Sequence, residues 1–104
     1  MGAAPWRGSF YRLKGELVRV DAQFDPAGVN VGQGWPLREH PLLLEAVRTG
    51  KPTRGPLVLA QLGPTVRETV RSAGLTHGAW VPIMSGGDLY GVLALATRAR
   101  QQGP

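Results

Sequence analysis

The stretch from Gly78 to Thr97 reads GAWVPIMSGGDLYGVLALAT and contains two apolar runs separated by Ser85-Gly86-Gly87. A short link of this kind is typical of a β-hairpin, because glycine accepts the positive φ angles of tight turns. The predicted strands are Gly78 to Met84 and Asp88 to Thr97. From Leu89 onward neither alternating set of the second run contains a charge, so this strand is expected at the centre of a sheet with both faces covered.

An earlier segment predicts a second hairpin. It runs from Phe10 to Leu13, turns at Lys14-Gly15 and continues from Leu17 to Phe24. Apolar and polar residues alternate in its second arm, which predicts a strand with one face on the core. The apolar set of that arm is Val18, Val20, Ala22 and Phe24. Residues 1–9 show no periodicity and are predicted to be a flexible leader.

Two short helices are predicted between the hairpins. The first, Pro41 to Thr49, begins with a proline, which suits the first turn of a helix, and is followed by Gly50, a frequent C-terminal stop. The second starts at Thr65, has Glu68 three residues later and ends at Gly74. The spacing of Thr65 and Glu68 predicts a capping box at the start of that helix.

The remaining connections are less regular. Asp25 to Pro36 is rich in Gly, Pro and Asn and is predicted to be a loop, whereas Leu57 to Leu59 fits either a short strand or a buried loop. The order of elements predicts an α+β fold, a single antiparallel sheet with two short helices on one face. The predicted domain covers residues 10–97 and is followed by a flexible tail at residues 98–104.

Length and composition restrict the class of protein. The chain has 104 residues, 42% of them hydrophobic, and no cysteine, which fits one small domain with a thin core. The lack of cysteine excludes a disulfide framework, a thiolate nucleophile and a cysteine-based zinc site. The longest apolar run, Gly91 to Ala96, is too short to cross a bilayer, and residues 1–9 contain no apolar signal-peptide core. These features predict a cytoplasmic protein without a membrane partner.

The charge balance raises the question of nucleic acid. Lys and Arg outnumber Asp and Glu by 12 to 7, which gives a formal net charge of +5. The cations are spread along the whole chain, form no run and are mixed with acidic residues. This distribution disfavours nucleic-acid binding, and a basic module that uses its dispersed arginines against phosphate is kept as the alternative function.

Few residues in the chain could catalyse a reaction. His40 and His77 are the only histidines, and no set of nucleophile, base and orienting group can be assembled around them. No close cluster of His, Asp and Glu indicates a metal site. Either histidine could ligate haem, but a lone histidine among apolar neighbours is more often packed and hydrogen-bonded. We therefore expect no enzyme, no metal and no cofactor, with a small hydrolase or reductase as the third hypothesis.

The chain resembles the GAF domain, a small-molecule sensor fold related to PAS. The resemblance covers most of residues 10–97 and lies in four segments: Gly15 to Ala22, His40 to Pro52, Gly74 to Ile83 and Gly86 to Leu95. It implies a non-catalytic sensory or dimerisation module that acts on an output domain such as a histidine kinase, a nucleotide cyclase or a transcription factor. The signature of cyclic-nucleotide-binding members is absent, as are the cysteines of the methionine-sulfoxide-reducing members.

The chain also departs from the family pattern. GAF domains usually begin with a helix and often end with another, and residues 1–9 and 98–104 are too short for either. The resemblance therefore implies a domain without its flanking helices, in which one face of the sheet lacks its usual cover. Because an exposed apolar face is costly, we expect the chain to form a homodimer.

The module is expected to bind a small ligand, to mediate dimerisation or to do both, and any ligand pocket is expected between the sheet and the two helices. The residues predicted to line that ligand site are Phe24, Trp35, His40, Leu43, Trp80 and Tyr90. Trp35 and Trp80 offer large surfaces with one N–H donor each, which suits a planar ligand and equally suits a packed core. No motif identifies the ligand.

Overall fold

A computed structural model describes residues 6–25 and 31–98, which form six β-strands and two α-helices. The strands are β1 (Trp6–Lys14), β2 (Leu17–Phe24), β3 (Gly34–Pro36), β4 (Thr53–Pro56), β5 (Leu75–Ser85) and β6 (Asp88–Arg98), and the helices are α1 (Pro41–Thr49) and α2 (Pro64–Ala73). All strand pairs are antiparallel, in the order β3-β2-β1-β6-β5-β4. The predicted α+β fold with a single antiparallel sheet is confirmed.

The hydrophobic core lies between the two helices and one face of the sheet, here called the inner face. Each helix buries one stripe of its surface, Leu43 and Ala46 from α1 and Val66 and Val70 from α2. The strands meet these stripes with buried side chains on the inner face: Val18, Trp35, Trp80, Val92 and Ala94. The prediction of two short helices on one face of the sheet is thereby confirmed.

Neighbouring residues set the ends of helix α1, whereas a residue distant in the sequence caps helix α2. Helix α1 begins at Pro41 as predicted and ends at Gly50, whose φ of 69° is in the left-handed region that favours glycine. The predicted capping box of α2 is wrong, because the carboxylate of Glu39 accepts the backbone N–H groups of Thr65 and Val66 at 2.8 and 3.1 Å. Glu68 instead pairs with Arg71. A distant carboxylate has therefore replaced the local cap.

Several predicted boundaries are corrected. Residues 6–9 belong to β1 and pair with β6, so this part of the predicted leader is a strand. The predicted loop from Asp25 to Pro36 ends in the short strand β3, which pairs with β2. Between α1 and α2 the strand is β4, and Leu57 to Leu59 lie outside it. Strand β6 continues to Arg98. Residues 1–5 and 99–104 of the predicted leader and tail, and residues 26–30 of the predicted loop, lie outside the described residues.

Strand β6 lies at the centre of the sheet as predicted, between β1 and β5. The prediction that both of its faces are covered is wrong. Val92 and Ala94 are buried on the inner face, whereas Leu93 and Leu95, on the opposite side, are 41% and 46% exposed. The reason is that both helices pack on the inner face, which leaves the outer side of an uncharged strand in solvent.

Two β-bulges decide which side chains reach the core. In β2 the register passes from Ala22 to Val20, which leaves Asp21 as an extra residue. A bulge reverses the alternation of side chains, so Val18 and Val20 are buried while Ala22 and Phe24 are exposed. The predicted single apolar face of β2 is therefore wrong for its second half. A second bulge lies at Tyr90 in β6, between the pairs Ile83–Gly91 and Met84–Leu89.

The face of the sheet opposite the helices, here called the outer face, carries an apolar surface. The side chains that form it are between 37% and 55% exposed: Trp6, Phe24, Ile83, Tyr90, Leu93 and Leu95. The Trp6 and Phe24 rings lie 5.0 Å apart, and Phe10 packs beside Tyr90 at 5.8 Å. Phe10 also lies across Gly91, where a Cβ atom would come within 2.7 Å of the Tyr11 carbonyl oxygen. In the described part of the chain, neither helix has the length and apolar character to cross a membrane.

Candidate functional site

A cavity lies between the inner face of the sheet and helix α2. It contains about 560 Å³ of space not filled by atoms, part of it open to solvent. The cavity is narrow, since the centre of a water molecule can reach only about 50 Å³ of it. One water needs about 10 to 15 Å³ of such space, so the cavity in this form admits a small molecule only.

Three aromatic rings form one wall of this cavity. Trp35 reaches it because β3 pairs with β2 opposite Val18, and Trp80 reaches it from β5. His40 stands between them, immediately before α1, with ring centroids 5.8 Å from Trp35 and 4.7 Å from Trp80. All three side chains are buried. Flat apolar walls of this kind suit a planar ligand group.

His40 has an unsatisfied polar atom beside the cavity. Its Nδ1 is buried and has no hydrogen-bond partner among the residues that the structure describes. Burial lowers the pKa of His40 to about 4, so the imidazole is neutral at pH 7. A buried polar atom left without a partner costs about 1 to 3 kcal/mol.

The low pKa of His40 makes the stability of the domain dependent on pH. In the unfolded chain the His40 imidazole is protonated near pH 6.5, whereas in the folded chain it stays neutral down to about pH 4. The stabilisation that comes from keeping His40 neutral is therefore complete above pH 6.5 and is lost as the pH falls towards 4. The expected loss is about 3 kcal/mol in unfolding free energy. Urea unfolding between pH 7 and pH 4 measures this loss.

The His40→Phe variant should show a shallower pH dependence than the wild type over this range. The matched control is His77→Gln, since His77 is exposed on β5. It should retain the wild-type slope. An equal slope in the wild type and in His40→Phe would contradict the assignment to His40.

A cluster of three charged residues, here called the Arg7–Asp25–Arg98 cluster, lies beside the cavity, with Arg7 and Asp25 buried and Arg98 partly buried. The Oδ2 atom of Asp25 accepts from Arg7 Nε at 2.6 Å and from Arg98 Nη2 at 2.5 Å. The Asp25 side chain is 0% exposed. Arg98 also donates to the carbonyl of Ala73, the last residue of α2. Through these contacts the cluster connects the ends of β1, β2, β6 and α2.

Further polar side chains line the cavity. Gln23 donates its amide to the hydroxyl of Ser9 at 2.9 Å. Burial raises the pKa of Tyr11, so its hydroxyl keeps its proton at neutral pH and can donate. Gln33 and Thr69 add an amide and a hydroxyl. The lining therefore combines hydrogen-bonding groups with aromatic and aliphatic surface, as in many small-molecule sites.

The structure brings three of the six predicted ligand residues together: Trp35, His40 and Trp80 line the cavity. Leu43 is fully buried in the core but is not part of the cavity lining. Phe24 and Tyr90 lie on the outer face, because each follows or occupies a bulge. Periodicity cannot reveal such a displacement, since one extra residue reverses every side chain beyond it.

Sequence reasoning missed the polar half of the site. Arg7 and Ser9 fell in the predicted leader, and Asp25 and Gln33 fell in the predicted loop. A buried arginine has no local signature, but its place two residues before Ser9 and four before Tyr11 fits one face of a strand. Extending the first strand to Trp6 would have placed all three side chains on the inner face. The described residues contain no group of three metal-ligating side chains.

The chain matches no family model and no curated protein. Among solved structures it is similar to the GAF domain of a two-component sensor histidine kinase from Bacillus halodurans, with 18% identity and a TM-score of 0.70, covering 94% of this chain and 67% of that chain. It is similar to the phycocyanobilin-bound GAF domain of a cyanobacterial phytochrome at 15% identity and a TM-score of 0.62, covering 94% and 63%. It is also similar to the GAF domain region of a membrane protein from Geobacter sulfurreducens, with 20% identity and a TM-score of 0.59. This similarity covers 88% of this chain and 63% of that chain.

These similarities confirm the resemblance stated from the sequence. The described residues have the fold of GAF domains, with the sheet order and the two helices given above. The chain spans about two thirds of the length of the domain from Bacillus halodurans and 63% of the other two.

Proposed function

We propose that this chain is a non-catalytic regulatory module that binds a small molecule in the cavity between its sheet and α2. The observation that carries the proposal is the cavity itself, whose lining combines the rings of Trp35, His40 and Trp80 with the guanidinium of Arg7 and several hydrogen-bonding side chains. An opening with apolar walls and a few polar groups is typical of a small-molecule site.

The similar solved structures support a regulatory role. One is a domain of a sensor histidine kinase and another binds phycocyanobilin in a phytochrome. By analogy, the chain would act on an output domain such as a kinase, a nucleotide cyclase or a transcription factor. The ligand would act by population shift, favouring the conformation that it binds better and by no more than its difference in affinity.

We further propose that the module pairs with a second copy through the outer face. Six large apolar side chains lie on that face, each at least 37% exposed. Their combined exposed area is on the order of 600 Å², at the upper limit for an apolar patch on a monomer. A stable interface takes about 800 Å² from each partner, which the patch and its polar rim can supply.

The contacts of the polar groups favour binding over catalysis. The Ser9 hydroxyl accepts from Gln23, and Tyr11 is held in its protonated form by burial. Several cations that could contact phosphate are engaged within the domain: Arg7 and Arg98 with Asp25, Arg67 with two backbone carbonyls, and Arg71 with Glu68. These contacts give no support to the nucleic-acid alternative.

Native mass spectrometry of the chain purified from its own host tests ligand binding. We expect the mass of the protein plus a retained small molecule. The Ala94→Leu variant places a larger side chain into the cavity lining, and we expect it to lower the retained fraction about tenfold. The matched control, Ala22→Leu, enlarges an exposed residue of β2 and should retain the molecule. A bare protein mass, or equal retention in a folded Ala94→Leu variant, would refute the proposed binding.

A further inference from the structure

The guanidinium of Arg7 is the charged group of the cavity lining. The Arg7 side chain is 9% exposed and lines the cavity. Its Nε donates to Asp25, and no acceptor among the described residues takes the N–H groups of its two terminal nitrogens. A guanidinium has five N–H donors in a planar fork, which matches a carboxylate in shape. Four donors of Arg7, on a side chain that lines the cavity, therefore have no acceptor among the described residues.

In the Arg7–Asp25–Arg98 cluster, Arg7 shares its acidic partner with a second arginine. Two guanidinium groups share one carboxylate, and Asp25 is the only buried acidic residue in the described ranges 6–25 and 31–98. All seven Asp and Glu residues of the chain fall within those ranges. Because Arg7 shares this carboxylate with a second guanidinium, a further anion close to Arg7 would be favoured.

The rest of the lining adds hydrogen-bond donors and no negative charge. None of the described residues that line the cavity is acidic. Tyr11 keeps its hydroxyl proton, and Thr69 adds a second hydroxyl. His40 is neutral at pH 7, so it neither repels a cation nor attracts an anion strongly. Arg7 is therefore the lining group that determines the sign of the charge on the preferred ligand.

The dimensions and the aromatic wall restrict the rest of the ligand. The space that a water centre can reach, about 50 Å³, is too small for a nucleotide or a tetrapyrrole without rearrangement. The rings of Trp35, His40 and Trp80 offer flat surface for a compact apolar body.

We infer that the ligand is a small organic carboxylate of only a few heavy atoms, which pairs its carboxylate with the terminal nitrogens of Arg7 and lays its body against Trp35 and Trp80. This inference rests on the proposed function and makes it more specific. Pairing with Arg7 would give its guanidinium a second anionic partner, and the geometry of a bidentate contact would orient the molecule.

Matched pairs of acid and amide test the sign of the ligand. Propionate and propanamide have nearly the same shape and differ in charge, and acetate and acetamide form a smaller pair. Calorimetric titration of the ligand-free chain should show one acid binding about tenfold tighter than its amide, a difference of about 1.4 kcal/mol. In Arg7→Gln this ratio should fall to about one, whereas Arg19→Gln, on an exposed part of β2, should keep it.

The outcomes separate the inference from the proposed function. Amides that bind as tightly as their acids would overturn the carboxylate inference and leave the ligand cavity in place. If neither pair binds, the inference is also overturned, and the retained mass in the Ala94→Leu experiment decides the proposed function independently. The comparison of acid with amide uses the wild-type chain, so it holds even if Arg7→Gln fails to fold.

Discussion

The Asp25→Ala variant is expected to lose about 3 to 5 kcal/mol of unfolding free energy, because it removes the carboxylate that the buried Arg7 and the partly buried Arg98 share. Asp25 is fully buried and accepts from both Arg7 and Arg98. Those contacts join strands that are far apart in the sequence, so the loss should appear as a cooperative decrease in stability. Urea unfolding followed by circular dichroism measures it.

Asp21→Ala is the matched control for this prediction. Asp21, in β2, also has two arginine partners, but its contacts with Arg12 and Arg19 are 4.0 and 3.9 Å long and exposed to solvent. Exposed pairs of this kind contribute about 0 to 1 kcal/mol, so this variant should unfold close to the wild type. If Asp25→Ala were as stable as Asp21→Ala, the cluster would not have the structural role assigned to it.

The double variant Leu93→Lys, Leu95→Lys is expected to abolish pairing through the outer face. Both leucines are exposed on the central strand, and two lysines at these positions on each protomer would place four like charges in the interface. The dissociation constant of the dimer should rise about a hundredfold or more. Sedimentation equilibrium over a range of protein concentrations measures this change.

The control for the outer face is the double variant Val58→Lys, Leu59→Lys. These two residues are as exposed as Leu93 but lie in the connection between β4 and α2. They should leave pairing unchanged. A wild-type chain that stays monomeric at every concentration would disprove the homodimer proposal, and a dimer that survives the Leu93 and Leu95 substitutions would place the interface elsewhere.

The sequence predicted those parts of the fold that depend on neighbouring residues. Pro41 and Gly50 set the ends of α1, because proline and glycine fix the backbone at the positions they occupy. The turn glycines Gly86 and Gly87 have positive φ angles and join β5 to β6 as expected. In each case the signal and the structure it specifies lie within a few residues.

The parts that could not be predicted depend on distant contacts. Glu39 caps a helix that begins 25 residues later, and no local pattern indicates that role. Arg7, Asp25 and Arg98 come from three segments without periodicity and meet only when the sheet has formed. The bulges at Asp21 and Tyr90 move Phe24 and Tyr90 to the outer face, and alternation alone gives no sign of them.

Strand β6 presents Ala94 to the cavity and Leu93 and Leu95 to the opposite side of the sheet. A ligand in the cavity and a second subunit on the outer face would therefore contact adjacent residues of the same strand. A conformational change caused by the ligand would therefore need to pass only through the thickness of the sheet to reach the dimer interface, and no hinge between separate domains would be required.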